Sequence, residues 1–226
     1  MAVQLATQLF AFDVRASDSP FVKRVWRTTS VPVESFMSVA VPQWEMVVTR
    51  QRDRTRMTLR GPETQASIAA IPQDAEFVGI QFRLGAYMPR FPLDRLVDRW
   101  LDLPAAGPGS FWLDASAWPY PDFEDGDVFV DRLVRRGLLI RGVDRRSSER
   151  TAQRWALRST GLSRRARRLI ERAHRAAALV QQGVPVREVA WRAGYADQAH
   201  LTRSLKRFVG MTPRQLALSF KTRPVR

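Results

Sequence analysis

GYADQAHLTRSLKRFVGMTP, running from Gly194 to Pro213, sets a glycine, a short acidic-amide cluster, a helical run and a Gly-x-Thr-Pro close inside 20 residues. Just before it, Val186, Val189 and Ala190 share one face of a short helix. Gly194 stands where that helix must end, because glycine takes positive φ at little steric cost. Asp197 suits the N-cap of a second helix, its carboxylate accepting amides of the next turn. That helix runs from Gln198 to about Phe208. Leu201, Leu205 and Phe208 form its inner stripe, which leaves Gln198, His200, Thr202, Arg203, Lys206 and Arg207 outside. Gly210 stops it, Thr212 caps a last short helix and Pro213 opens that helix. Two helices across a tight glycine turn, the second with a polar outer face, are helix-turn-helix geometry, and the first outer residues of the second helix are those that reach base edges. Arg203 can bind guanine in bidentate fashion, Gln198 adenine, and His200 or Thr202 can add one contact. Lys206 and Arg207 lie further along and suit phosphates.

The charge is distributed to match. The chain of 226 residues carries a formal net charge of +15. Residues 126–226 hold 24 Lys+Arg against 7 Asp+Glu, so all of the excess sits there and the first 125 residues are slightly acidic. An Arg-rich genome would raise arginine in both halves with matching acids; the acids are missing from one half only. A polyanion partner for the C-terminal half is the direct reading, since phosphate neutralisation and counterion release dominate nucleic-acid affinity.

Other chemistries start from little. There is no cysteine, which removes disulfides, thiol nucleophiles and Cys-ligated metals, and the two histidines, His174 and His200, are far apart in sequence. No catalytic group, metal or cofactor is implied. Asp122, Glu124, Asp125 and Asp127 fall in a Pro-rich stretch and read as solvated charges rather than an acid/base pair. An enzyme with a basic tail is therefore the weaker alternative to a nucleic-acid binder. An RNA binder using the Arg-rich helix 164–175 is a third. No run of 18 apolar residues and no signal-peptide pattern is present, so a soluble, cytoplasmic and nucleoid-associated protein is expected, with no membrane partner.

From about Phe36 to Leu84 the pattern has period two. FMSVAV, WEMVVT, RMTLR, SIAAI and EFVGIQFRL read as strands separated by Pro, Gly and charged clusters. In the last of these, Val78, Ile80, Phe82 and Leu84 share one face, with Gln81 and Arg83 on the other. Leu93, Leu96, Val97, Trp100 and Leu101 fall at helical spacing after Pro92 and predict a short amphipathic helix. DLPAAGPGSFW then breaks all periodicity, so a linker is placed at 105–125. Only helical periods follow. One helix has Phe129, Leu133 and Val134 on one side and Gly137 as its stop; a long Arg-rich one has Leu169, Ala173, Ala176, Ala177 and Val180 on one side. The expected class is α+β: a small all-β domain, cupin-like or sandwich, over 1–104, the linker, and an all-α domain over 126–226. SERTAQRWALRSTGLS, Ser148 to Ser163, echoes Asp197 to Pro213 in its cap, its arginine and its late glycine.

The run Gly-aromatic-x-Asp-x-x-His-x-x-Arg, closed by Gly-x-Thr-Pro, closely resembles the second helix-turn-helix and closing helix of the AraC-type (AraC/XylS) transcription regulators. The resemblance implies two helix-turn-helix units joined by a long helix, here 164–182, reading successive major-groove segments of double-stranded DNA. It makes Ser148 to Gly161 the first recognition helix, with Arg150, Gln153 and Arg154 as base candidates; Arg164 and Arg165 are further phosphate candidates. The chain departs from the family pattern in one place: only VDRRS stands between Gly142 and Ser148, where a full helix is usual. Trp155 is placed to compensate for small Ala152 and Ala156. VPQWEMVVTR, GPETQ and GIQFRLGAYMP resemble the all-β N-terminal domain of a subset of these regulators whose ligand is undefined. That domain would sense a small-molecule effector or pair with its twin, in a monomer or a homodimer, and RNA polymerase is a further implied partner. Trp44, Arg83 and Tyr87 are candidate pocket residues there, although Trp44 and Tyr87 fit the core or rim of a small sheet better.

Overall fold

The structure is a computed structural model that describes residues 12–30, 35–142 and 157–221. Alternation builds its first half. In β4 (Glu45–Gln51), β5 (Arg54–Arg60) and β7 (Ala75–Phe82) every second side chain points to one side, so Met46, Val48, Met57, Leu59, Val78, Ile80 and Phe82 are buried together. With β1 (Asp13–Ala16), β2 (Val22–Thr29) and β9 (Trp100–Leu103) these strands form an antiparallel sheet in the order β1-β2-β7-β4-β5-β9. Its apolar face is covered by α1 (Gly126–Arg135) through Phe129, Val130 and Leu133. Beside α1 lies a three-stranded sheet of β10 (Ala105–Gly107), β11 (Ser110–Leu113) and β12 (Ser116–Pro119), which contributes Phe111, Leu113 and Trp118. Opposite the other face stands an antiparallel ribbon of β3 (Ser35–Ser38) and β6 (Ser67–Ala70). Short β8 (Ala86–Tyr87) pairs with β13 (Ile140–Arg141).

The second half is helical. Residues 157–160 are helical. They lead into α2 (Arg164–Gln181), α3 (Val186–Arg192), α4 (Gln198–Val209) and α5 (Pro213–Lys221). Ala173, Ala176, Ala177 and Val180 of α2 are buried as the sequence predicts, against Val189, Leu201, Leu205 and Leu216. The small alanine stripe lets α4 and α5 pack closely on α2. Among the described residues no helix is long and apolar enough to cross a membrane.

Three expectations change. After Pro92 only one 3-10 turn forms, Leu93–Arg95, and Trp100–Leu103 is instead the edge strand paired with β5. The stretch expected as a linker, 105–125, carries β10, β11 and β12, and its aromatic residues complete the first core. The amphipathic helix 126–135 packs on the sheet rather than with the helical half. The acids of this stretch are engaged as well. Asp127 pairs with Arg15 and accepts from the Ser17 hydroxyl at 2.6 Å, and Asp122 accepts from Arg50 at 2.5 Å. Partial burial pushes the Asp127 carboxyl up, but the bonds from Arg15 and Ser17 outweigh it and hold the group below the usual carboxylate range.

Candidate nucleic-acid interface

The glycine turn forms as the sequence dictates. Gly194 has φ 72, and its amide donates to the carbonyl of Trp191. Asp197 is extended and its carboxylate accepts the His200 amide at 2.6 Å, which fixes the start of α4. At the far end Gly210, φ 80, donates to the carbonyls of Leu205 and Lys206. Thr212 then starts α5: its hydroxyl accepts the Gln215 amide at 3.2 Å while the Gln215 side chain accepts the Thr212 amide at 2.8 Å, a reciprocal cap.

Inside the turn, the Tyr195 hydroxyl and Ser204 Oγ lie 2.9 Å apart in a buried pair. The Arg172 guanidinium from α2 sits over the Tyr195 ring at 4.3 Å and donates to the Gly194 carbonyl at 3.2 Å. One arginine of the Arg-rich helix is thus committed to holding the turn. Sequence reasoning missed this role, because an arginine inside a run of arginines carries no separate signal. It also assigned nothing to Trp191, which stands 80% exposed on α3 beside the Glu188–Arg192 ion pair.

On α4, Leu201, Leu205 and Phe208 are buried, while Gln198, Arg203, Lys206 and Arg207 are exposed. Thr202 is half-buried and its hydroxyl donates to the Gln198 carbonyl at 2.8 Å, which leaves its lone pairs as acceptors. His200 is half-buried, edge-on to Tyr195 at 5.1 Å. No ion pair engages Arg203, Lys206 or Arg207 among the described residues.

Arg164 and Arg165 are exposed in the first turn of α2, behind the Ser163 cap, and no acid stands in that turn. Cations at a helix N-terminus oppose its dipole, so this end carries a raised positive potential suited to an anion. Arg164 stands eight residues before Arg172 on the same helix, roughly 12 Å at 1.5 Å per residue, so Arg164 and Arg165 lie about two turns from the residue that holds the glycine turn. Arg150, Gln153, Arg154, Trp155 and the VDRRS segment lie outside the described residues.

The C-terminal end of α4 meets the β domain. The Ala40 amide donates to the Phe208 carbonyl at 2.9 Å and the Ala66 amide to the Arg207 carbonyl at 2.7 Å, so the last carbonyls of the helix are capped by the chain on either side of the β3–β6 ribbon. Met37 of β3 packs on Gly210 so closely that a Cβ there would lie 2.4 Å from its sulfur. His174 of α2 faces the same junction: burial pulls its imidazole down to about 4, against the Ala40 backbone and with help from Lys23. It is neutral at neutral pH and belongs to the domain junction rather than to an interface with DNA.

The pocket residues considered from sequence line neither of two cavities set among the described residues. Trp44 is buried, stacked on Phe82 at 3.9 Å with its indole N–H on the Ala86 carbonyl, and Tyr87 packs on the same core. Arg83 donates to the carbonyls of Ser17 and Ser19. The largest cavity described, about 820 Å³, lies on the opposite face of the sheet, between it and the β3–β6 ribbon.

A capped helix pair whose cationic outer face forms no ion pair among the described residues, in a chain whose excess positive charge sits in that half, is the arrangement of a DNA-binding transcription regulator. Residues 146–218 match the family model of a helix-turn-helix domain. Among solved structures the chain is similar to a single-residue variant of apo ToxT from Vibrio cholerae, at 10% identity and a TM-score of 0.42, over 91% of this chain and 100% of that one. A second ToxT structure from Vibrio cholerae gives 9% identity and a TM-score of 0.40 over 92% and 98% of the two chains. No curated protein matches the sequence.

Proposed function

We propose that this regulator reads duplex DNA chiefly through the outer face of α4, with Gln198 and Arg203 on base edges, His200 and Thr202 adding single contacts, and Lys206, Arg207, Arg164 and Arg165 on phosphates. The observation that carries the reading is the difference between the two ends of α4. Its C-terminal carbonyls are held by the β domain, while Gln198 at its start and Arg203 midway along it stand exposed. Arg150, Gln153 and Arg154 read an adjoining segment in this scheme, and contact with RNA polymerase completes it. The DNA-binding unit comprises the chain after α1, because α1 is part of the β core.

The test is selection of bound sequences from random duplex DNA. Arg203→Ala relaxes preference at one base position and costs about 1–3 kcal/mol on the preferred site. Lys206→Ala weakens all sequences alike and lowers the salt slope by about one. Uniform weakening by both would refute base reading by Arg203, and preference for structured RNA over duplex would favour the RNA reading instead.

The β domain acts in this scheme as the sensor. What supports this is the ribbon, which is at once a wall of the large cavity, through Phe36 and residues 67–70, and a neighbour of α4, through Met37, Ala40 and Ala66.

A further inference from the structure

Strand register lays a row of polar side chains across the sheet beneath the ribbon. Arg24 on β2 is opposite Gln81 on β7, Gln81 is opposite Glu45 on β4, and Glu45 is opposite Arg60 on β5. All four line a small chamber of about 100 Å³, joined to the large cavity through shared walls at Trp26, Phe36, Arg60 and Glu63. Antiparallel partners share a face, so these side chains converge.

The charges of the row are balanced internally. Arg60 reaches Glu45 at 3.5 Å and Glu63 at 3.1 Å; Trp26 Nε1 donates to Glu45 at 3.2 Å and the Ser38 hydroxyl to Glu63 at 2.8 Å. Two groups are left over. Among the described residues Gln81, only 2% exposed, has no partner for Oε1, and Arg24 has none for its buried Nε–H. A buried polar atom without a partner is costly, and a pair of them lining one chamber calls for a complement. One is an acceptor and the other a donor, on adjacent strands.

Beyond this row one wall of the large cavity is apolar and aromatic, while Arg56, Asp98, Arg99 and Asp102 line its rim. Two residues further along the same face come Trp26 and Val47, then Phe77, with Phe36 from the ribbon and Trp100 from the edge strand. Gly79 leaves the room in which the Trp26 indole lies, since a Cβ there would fall 2.0 Å from the ring.

We propose that this cavity binds a neutral, ring-bearing molecule whose head both donates and accepts hydrogen bonds, an amide being the simplest case, with the head between Gln81 Oε1 and Arg24 Nε and the ring among the aromatic walls. A carboxylate head satisfies Arg24, and Gln81 through its Nε2, but sets its charge against the carboxylates of Glu45 and Glu63. An ammonium or amidinium head satisfies Gln81 but faces Arg24 and Arg60. A volume of several hundred cubic ångströms with an aromatic wall and a few converging polar groups is the usual form of a small-molecule site. The inference rests on the sensor reading for its biological use, but its chemistry stands on the row alone.

The experiment titrates the full chain with three probes of one shape, 2-naphthamide, 2-naphthoate and 2-naphthamidinium, by calorimetry and by the shift in Tm. The amide is expected to bind at least about tenfold more tightly than either ion, the equivalent of one directed charge mismatch of ~1.4 kcal/mol. Gln81→Leu is expected to keep the fold and lose the preference for the amide. Gln81→Glu is expected to move the preference to the amidinium, which a purely structural glutamine would not do. Tighter binding of naphthoate, equal binding of all three, or binding by none overturns the proposal. Operator affinity measured with and without bound amide tests the sensor reading separately: amide binding that leaves DNA affinity unchanged refutes sensing and leaves the site intact.

Discussion

The two faces of the six-stranded sheet are built from the same strands, residue by residue in alternation, yet they differ in every physical respect. One face meets α1 and the β10–β12 sheet with Met46, Met57, Leu59 and Ile80 essentially inaccessible to water. The other carries Arg24, Gln81, Glu45 and Arg60 in one row and looks across a cavity at a two-stranded ribbon. Close packing fixes the first face. The second is held by ion pairs and hydrogen bonds, with room to spare. The lesson is that the period-two signal marks a strand in both cases, but only the apolar half of it says what the strand is packed against.

Substitutions should break this contrast in a definite order. Met57→Ala on the packed face removes a fully buried side chain and is expected to cost about 2–5 kcal/mol in urea unfolding, as large-to-small core changes do. A cost under ~1 kcal/mol would mean that the face is not close-packed. Gly79→Ala on the open face is expected to cost about 1–3 kcal/mol, because the new methyl must displace the Trp26 indole. The loss of the Trp26–Glu45 hydrogen bond should appear in the near-ultraviolet circular dichroism of the tryptophan.

Glu63 gives a smaller, pH-dependent effect. Burial pushes its carboxyl up, against Arg60 and Ser38, which favour the charged form. The native state therefore keeps this proton to higher pH than the unfolded chain does. The stability it contributes is fully present below the ordinary carboxylate range and is lost as pH rises through the raised value. Glu63→Gln should flatten that slope in melts between about pH 4 and 8; an unchanged slope would place the titration elsewhere. The smallest effect is expected at Gln81→Leu, where an unpartnered buried carbonyl is replaced by a side chain of similar size. Stability should stay within about 1 kcal/mol of the parent, or rise. A loss of ~2 kcal/mol or more would show that Gln81 already has its partner.

Much of the helical half was legible because its signals are local. Gly194, Asp197, Gly210 and Thr212 each act on the backbone within a turn of themselves, and every one stands in the role its chemistry dictates. β4, β5 and β7 were legible for the same reason. β2 was not: a register shift between Val22 and Arg24 breaks its alternation, and Trp26 and Thr28 on its cavity side are buried as well. Trp100–Leu103 read as the end of a helix because Leu93, Leu96 and Val97 happen to fall three and four apart. A single 3-10 turn satisfies that spacing as well as an α-helix would. The helix 126–135 was found, but an apolar stripe does not name its partners, which are Phe111 and Trp118 against Phe129 and the distant strand β2. The polar row was hidden altogether, since the sequence places Gln81 only opposite the apolar face of its strand and gives Arg24, Glu45 and Arg60 no separate signal until strand register sets them side by side.

The ribbon ties the cavity and α4 into one thermodynamic account. An occupant that moves β3 or β6 must strain the bonds from Ala40 and Ala66 to the last carbonyls of α4, each worth about 0.5–1.5 kcal/mol net. Two such bonds match the ~1–3 kcal/mol in which coupling between distant sites is usually found. Such coupling is reciprocal. Whatever factor an occupant imposes on the affinity for operator DNA, the operator must return to the occupant, so that cavity affinity measured on free protein and on the DNA complex would differ by that same factor and in the same direction.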